Sequence, residues 1–448
     1  MPTVAKPSRK RERIALVLAG GGARGAYEAG AMAALAPALE SRGQTPDIVV
    51  GTSIGALNGS FFAARAHEPL QAAAAAALDM WRALRWGRAL KPLTSPSELR
   101  RLLGTVAMLA HLPRADPPGL LDTSPLRGTL ERLVSFERIE DNIDAGALTA
   151  AAVVATAYAT TRSVVFHHGG PDLGLNPLRA IDYFATALSA EHVLASAAIP
   201  GAFPAVEISE PRTAKGWYSD GGVRLNAPLK PALSLGANRV VVIGLNSSAT
   251  PTGAARRPDM LDGVAQLLQA VLADQLAEDV ATLATVNETL APKRSASGGA
   301  RPGAGARAAA TGMRAAAKTP AASGTRVRRR PRRTIPYIFI SPCDRLEIGR
   351  LARKVYDKRY AGVRGFLRDR NLELLGQFVN AEHSDVHGDL LSYLFLAREF
   401  IDELIALGER DANRWLEQRH DAGLWQVGRL PAGASRPAPV RKRQLSRL

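Results

Sequence analysis

A chain of 448 residues, 46% hydrophobic and 5% aromatic, has room for one large domain or two and is too apolar for wholesale disorder. Its single cysteine, Cys343, excludes an intrachain disulfide and fits a reducing compartment. The net charge of +17 is localised: residues 1–13 carry +4, 291–333 carry +12 and 436–448 carry +5, which leaves the rest of the chain at −4. No helix-turn-helix, zinc or aromatic RNA-binding motif accompanies that charge, so no nucleic-acid partner is expected.

Residues 1–13 read as a basic disordered tail. The apolar run Ile14-Ala15-Leu16-Val17-Leu18-Ala19 is short for a secretory segment and dissolves into glycine, so it reads as a buried strand and no signal peptide is expected. A helix over 26–41 ending near Gly43, a strand over 47–50 and helices over 55–66 and 71–85 follow. Residues 150–168 alternate as strands, with a turn around Thr160-Thr161-Arg162.

Arg239-Val240-Val241-Val242-Ile243 is a further buried strand, and 261–290 a helix rich in Leu, Ala and Val. The stretch 291–333 is Ala, Gly, Pro, Ser, Arg and Lys with hardly a bulky apolar residue, and reads as a disordered insertion. Structure resumes with a strand at Ile335–Ile340. One amphipathic helix then carries Leu390, Leu391, Leu394, Ala397, Ile401, Leu404 and Ile405 on one face.

Strands alternating with helices predict an α/β fold with a largely parallel sheet, its main part at 14–290 and its last strand and helices at 334–418, before a basic tail at 419–448. The longest uncharged stretches, 48–64 and 145–161, fall short of the ~20 apolar residues a spanning helix needs. A cytoplasmic protein, free or peripheral to a membrane, is expected.

Three loops carry chemistry. Gly20-Gly21-Gly22-Ala23-Arg24-Gly25 follows the first strand and opens a helix, which exposes successive N–H groups to an anion. The same letters fit a dinucleotide fingerprint, but neither Glu40 nor Asp47 clearly ends the second strand as ribose binding requires. What ends that strand is Gly51-Thr52-Ser53-Ile54-Gly55, the pattern of a nucleophile elbow.

A serine beside a row of N–H donors is the minimum apparatus for acyl transfer. It still needs a base. His383, His387 or His420 would complete a Ser, Asp, His order, but none sits in a glycine-rich turn. Trp217-Tyr218-Ser219-Asp220-Gly221-Gly222 offers a carboxylate in such a turn, just before the strand 239–243.

These motifs, in this order and joined by Ala195-Ser196-Ala197-Ala198-Ile199-Pro200-Gly201-Ala202-Phe203-Pro204, resemble the patatin-like phospholipase family over residues 14–245. Ile199 stands where many relatives have Ala. The resemblance implies a three-layer α/β/α fold and a lipid acyl hydrolase of phospholipase A or lysophospholipase type, cleaving carboxylic esters through an acyl-enzyme.

By the same resemblance Ser53 is the nucleophile and Asp220 the general base. Gly20, Gly21, Gly22, Ala23, Arg24 and Gly25 form the oxyanion loop; Gly51, Thr52, Ile54 and Gly55 form the elbow; Gly221 and Gly222 complete the aspartate motif. Arg24 could brace the loop, meet lipid phosphate or form an ion pair. Residues 87–130 are a candidate cap over the acyl site. No metal or cofactor is expected. The partners are a lipid ester and, through the basic segments, an anionic membrane. The competing readings are an α/β-hydrolase with a Ser, Asp, His triad and a non-enzymatic nucleotide- or membrane-binding protein.

Overall fold

The computed structural model describes residues 12–98, 100, 101, 104, 119–175, 180–226, 228–246, 259, 262, 263, 266, 275–290, 333–419 and 423–429. Most of the three basic segments, His111, His420 and residues 105–118 of the expected cap therefore lie outside the described residues.

The described strands are β1 (Ile14–Leu18), β2 (Ile48–Thr52), β3 (Ala150–Ala157), β4 (Ser163–Gly169), β5 (Ile181–Ala185), β6 (Val206–Ile208), β7 (Gly216–Asp220), β8 (Arg239–Ile243) and β9 (Tyr337–Ile340). They form one sheet in the order β5-β4-β3-β2-β1-β8-β9, with β7 on β3 and β6 on β7. Pairings β2-β1, β1-β8, β8-β9, β2-β3 and β4-β5 are parallel. The exceptions are β3-β4, β3-β7 and β6-β7, which are antiparallel.

Every residue of β1 and β2 is buried. Successive side chains point to opposite faces, so both faces are covered, as a parallel sheet of Val, Ile and Leu requires. Helices Gly25–Glu40, Ile54–Ala64 and Arg398–Gln418 supply much of that cover. The fold is the expected α/β/α arrangement.

The expected turn at Thr160-Thr161-Arg162 joins β3 to β4, with Thr161 at φ 53°. The strand after residues 291–333 is β9, which adds to β8 in parallel register, Val240 opposite Tyr337.

The C-terminal stretch departs from its sequence reading. In place of one amphipathic helix through 390–405 there are two, Asp385–Ser392 and Arg398–Gln418, separated at Tyr393–Ala397. The break leaves the Tyr393 carbonyl free to accept from Ala23 N at 2.8 Å, and buries Phe395 among Tyr356, Tyr360 and Phe400. Three helices without an expectation, Glu347–Arg359, Gly362–Arg368 and Arg370–Phe378, precede them. Among the described residues, no helix is long and apolar enough to cross a membrane.

Candidate active site

Strand register brings Ser53 and Asp220 together. Parallel β2 runs along β3 until Thr52 lies opposite Val154, and antiparallel β7 ends with Asp220 opposite Ala155. Because β4 occupies the other edge of β3, β2 and β7 share one lane and meet end to end. Ser53 is the first residue beyond β2, and Asp220 the last residue of β7.

Ser53 leaves its strand at φ 53° and ψ −122°, a backbone conformation costing about 1–3 kcal/mol for a residue with a side chain. The elbow is possible because Gly51 and Gly55 touch: a Cβ on Gly51 would lie 2.0 Å from the Gly55 carbonyl oxygen. Two hydroxyls hold the turn. Ser53 N donates to Ser196 Oγ at 2.8 Å while Ser196 Oγ donates to Val154 O at 2.5 Å, and Thr52 Oγ1 donates to Leu225 O at 3.0 Å.

The Asp220 side chain is buried, and burial pushes its carboxyl up to about 6; the Ser53 hydroxyl and the Gly222 N–H pull the other way. Gly222 N donates to Oδ1 at 2.6 Å. Oδ2 has no hydrogen bond of ordinary geometry, so the Ser53 hydroxyl faces the carboxylate without closing a full bond. Such contacts commonly tighten only with substrate bound.

The glycine loop lies over the elbow, and its amides divide in two. Gly20 N donates to Asn226 Oδ1 at 2.9 Å, Ala23 N to Tyr393 O at 2.8 Å and Arg24 N to Gly21 O at 3.3 Å, while Gly25 N turns back on Gly22 and Ala23 carbonyls. Gly21 and Gly22 donate to no described acceptor, and neither does the Ile54 amide at the head of the helix. Gly22 must be glycine: its φ is +61°, and a Cβ there would meet the Tyr393 carbonyl oxygen at 2.1 Å.

Arg24 is a structural ion pair. Its guanidinium is 1% exposed, lies 2.9 Å from Asp389 Oδ1, donates to Asp389 O at 2.7 Å and to Ser392 Oγ at 2.8 Å, and stacks 3.8 Å over the Tyr393 ring. Burial alone would lower its pKa; Asp389 and Tyr393 outweigh that and raise it. A group so enclosed does not meet lipid phosphate.

The sequence reading passed over several supporting residues. Glu28 accepts from Ala19 N and from Asn58 Nδ2, both at 2.8 Å, and burial raises its carboxyl to about 8; Trp81 Nε1 donates to Asn58 Oδ1. Asn226, two residues of chain beyond Val223 and Arg224 in the aspartate loop, anchors Gly20. A Glu early in an Ala-rich helix was the one available signal. Among the described residues no histidine bonds to Ser53 or Asp220: His387, a triad candidate, instead contacts Asn380 O and Asp259.

The fold and site together define an α/β protein with a serine on a strand-to-helix elbow, facing a buried carboxylate and a loop of open amides. The family model described as Patatin-like phospholipase matches residues 16–233. Residues 16–233 thus carry a patatin-like phospholipase domain. A search of curated proteins gave no match. Among solved structures, the crystal structure of VipD from Legionella pneumophila is similar at 14% identity and a TM-score of 0.26, over 62% of this chain and 55% of that one. The chain thus spans about half the length of that structure.

Proposed function

We propose that the protein hydrolyses carboxylic esters of lipids through a Ser53–Asp220 dyad and an acyl-enzyme. The observation that carries this reading is the end-to-end meeting of β2 and β7 on β3, which sets a strained, buried serine against a carboxylate raised to about 6.

In this mechanism Asp220 takes the Ser53 hydroxyl proton as Oγ attacks the ester carbonyl, forming the C–O bond of a tetrahedral oxyanion. The open amides of Gly21, Gly22 and Ile54 receive the negative charge. Asp220 returns the proton to the departing alcohol; water then attacks the acyl-serine and loses its proton to Asp220, which passes it to Ser53 Oγ as the acyl C–O bond breaks and the fatty acid leaves. A base near pKa 6 is ionised at neutral pH yet basic enough to accept a proton in the transition state.

The basic segments 1–13, 291–333 and 436–448 would hold the enzyme at an anionic lipid surface, each Lys or Arg there contributing ~1 kcal/mol. Deleting 291–333 should then reduce sedimentation with anionic liposomes.

A fluorophosphonate probe tests the dyad directly. Wild type should become labelled at Ser53 and should release fatty acid from phospholipid; Ser53→Ala should do neither. Turnover by purified Ser53→Ala, or absence of labelling in folded wild type, would overturn the assignment and favour a binding protein.

A further inference from the structure

His387 lies outside the hydrolytic site and is fully buried on the helix Asp385–Ser392. Its Nδ1 is 3.0 Å from the Asn380 carbonyl oxygen. A carbonyl only accepts, so Nδ1 carries the proton and Nε2 is the nitrogen turned toward its other neighbours. Those neighbours are two carboxylates, Asp259 Oδ1 at 3.3 Å and Asp262 Oδ1 at 3.5 Å. His383 approaches from the outer side, its Nε2 3.8 Å from Asp259 Oδ2 and its ring 5.2 Å from that of His387.

The carboxylates are fixed by each other's backbone. Asp259 N donates to Asp262 Oδ2 and Asp262 N to Asp259 Oδ1, both at 2.9 Å. With Nδ1 protonated, a neutral His387 would direct its Nε2 lone pair at carboxylate lone pairs. Nε2 and the carboxylate oxygens converge on one another, the arrangement that a bound cation would occupy.

The donor chemistry selects the cation. One ligand atom from each of Asp259, Asp262 and His387 lies within 4.8 Å of the others. Imidazole nitrogen with carboxylate oxygen suits a borderline ion such as Zn²⁺, whereas Mg²⁺ and Ca²⁺ prefer oxygen alone. The Nδ1–H bond to a backbone carbonyl is the outer contact by which ligating histidines are oriented. His387 and Asp262 form the dry wall of the cluster, and the half-exposed Asp259 and His383 leave an entrance.

We propose that His387, Asp259 and Asp262, with His383 as a fourth donor, bind a zinc-class divalent cation that ties Asp259 and Asp262 to the helix Asp385–Ser392. The same helix presents Asp389 and Ser392 to Arg24, so the ion would stiffen the support of the glycine loop without touching substrate.

The full chain, stripped with chelator and passed through gel filtration after incubation with Co²⁺ or Zn²⁺, should retain one equivalent of metal, with visible d–d absorption for Co²⁺. Asp262→Asn and His387→Gln should each weaken retention at least about 10-fold. Asp259→Asn, at an exposed position, should do the same with unchanged circular dichroism, which keeps the test valid if His387→Gln misfolds. Metal retained equally by wild type and Asp259→Asn, or no retention by wild type, overturns the proposal and leaves an imidazolium–carboxylate pair. Because the readout is metal rather than turnover, it stands apart from the fate of the dyad.

Discussion

Ser53 and Asp220 lie within residues 16–233, whereas the groups that close over the glycine loop, Asp389, Ser392 and Tyr393, come from the C-terminal stretch 333–419. In the first region the site residues sit at strand ends and turns, where short motifs set the backbone. The second is helical, and reaches the site through one buried cation, one carbonyl and one ring. Reactive groups can thus be specified locally while their rigidity is supplied from far along the chain.

The sharpest way to break this division is at Asp220. Asp220→Asn should abolish hydrolysis while making the protein more stable. In the folded protein the carboxyl sits at about 6 against an ordinary 3.8, so ionising it there costs up to about 3 kcal/mol. The sign follows: the stability contribution of the protonated form is complete below about pH 3.8 and is lost as pH rises through about 6. The neutral variant escapes that loss, so its melting temperature should exceed wild type at pH 8 and match it at pH 3. Wild-type hydrolysis should fall about tenfold per pH unit below pH 6 as the base is protonated. A variant less stable at pH 8 would show that burial is not what raises the carboxyl.

Next in size is Gly22→Ala, at a point where the two regions meet. The added Cβ cannot stand 2.1 Å from the Tyr393 carbonyl oxygen, so the loop must turn its amides away. By the cost of losing an oxyanion donor, kcat should fall about 10²- to 10³-fold with KM little changed. An unchanged kcat would remove Gly21 and Gly22 from the oxyanion hole.

How much of this was legible follows from the same contrast. Gly51–Gly55, Gly20–Gly25 and Asp220-Gly221-Gly222 could be read directly, because a tight turn needs small residues at fixed positions. Strand β1 and the hairpin β3-β4 were legible from apolar runs and β-branched alternation. The partner of Arg24 was not: an arginine at a helix start looks alike whether it faces lipid or Asp389, and that pairing exists only in three dimensions. The interruption at Tyr393 was hidden too, since Leu390 through Ile405 keeps helical spacing across it and no Gly or Pro marks it. It arises from a tertiary hydrogen bond to Ala23.

Asp389→Ala tests the C-terminal half of the comparison. It would leave the Arg24 guanidinium buried without its carboxylate, a loss of about 3–5 kcal/mol in chemical denaturation. Pairing it with Arg24→Met should recover much of the stability, because an apolar pair of similar volume can replace a buried ion pair. Hydrolysis should stay low in the double variant, since the Tyr393 contacts that set the loop are altered. Full recovery of both would mean that the C-terminal stretch contributes stability alone.

The smallest expected effect lies wholly inside the motif-bearing region. Ser196 Oγ stands between Ser53 N and Val154 O, accepting from one at 2.8 Å and donating to the other at 2.5 Å. Ser196→Ala would orphan both buried groups, at about 1–3 kcal/mol, without changing the charge or volume of the site much. Since Ser53 holds a left-handed backbone, losing its amide's acceptor should let the elbow relax and lower kcat by less than Gly22→Ala does. Stability reduced with kcat intact would assign the elbow's geometry to the contact of Gly51 with Gly55 alone. Both reduced together would show that the serine is held from within the first region as firmly as its oxyanion loop is held from the second.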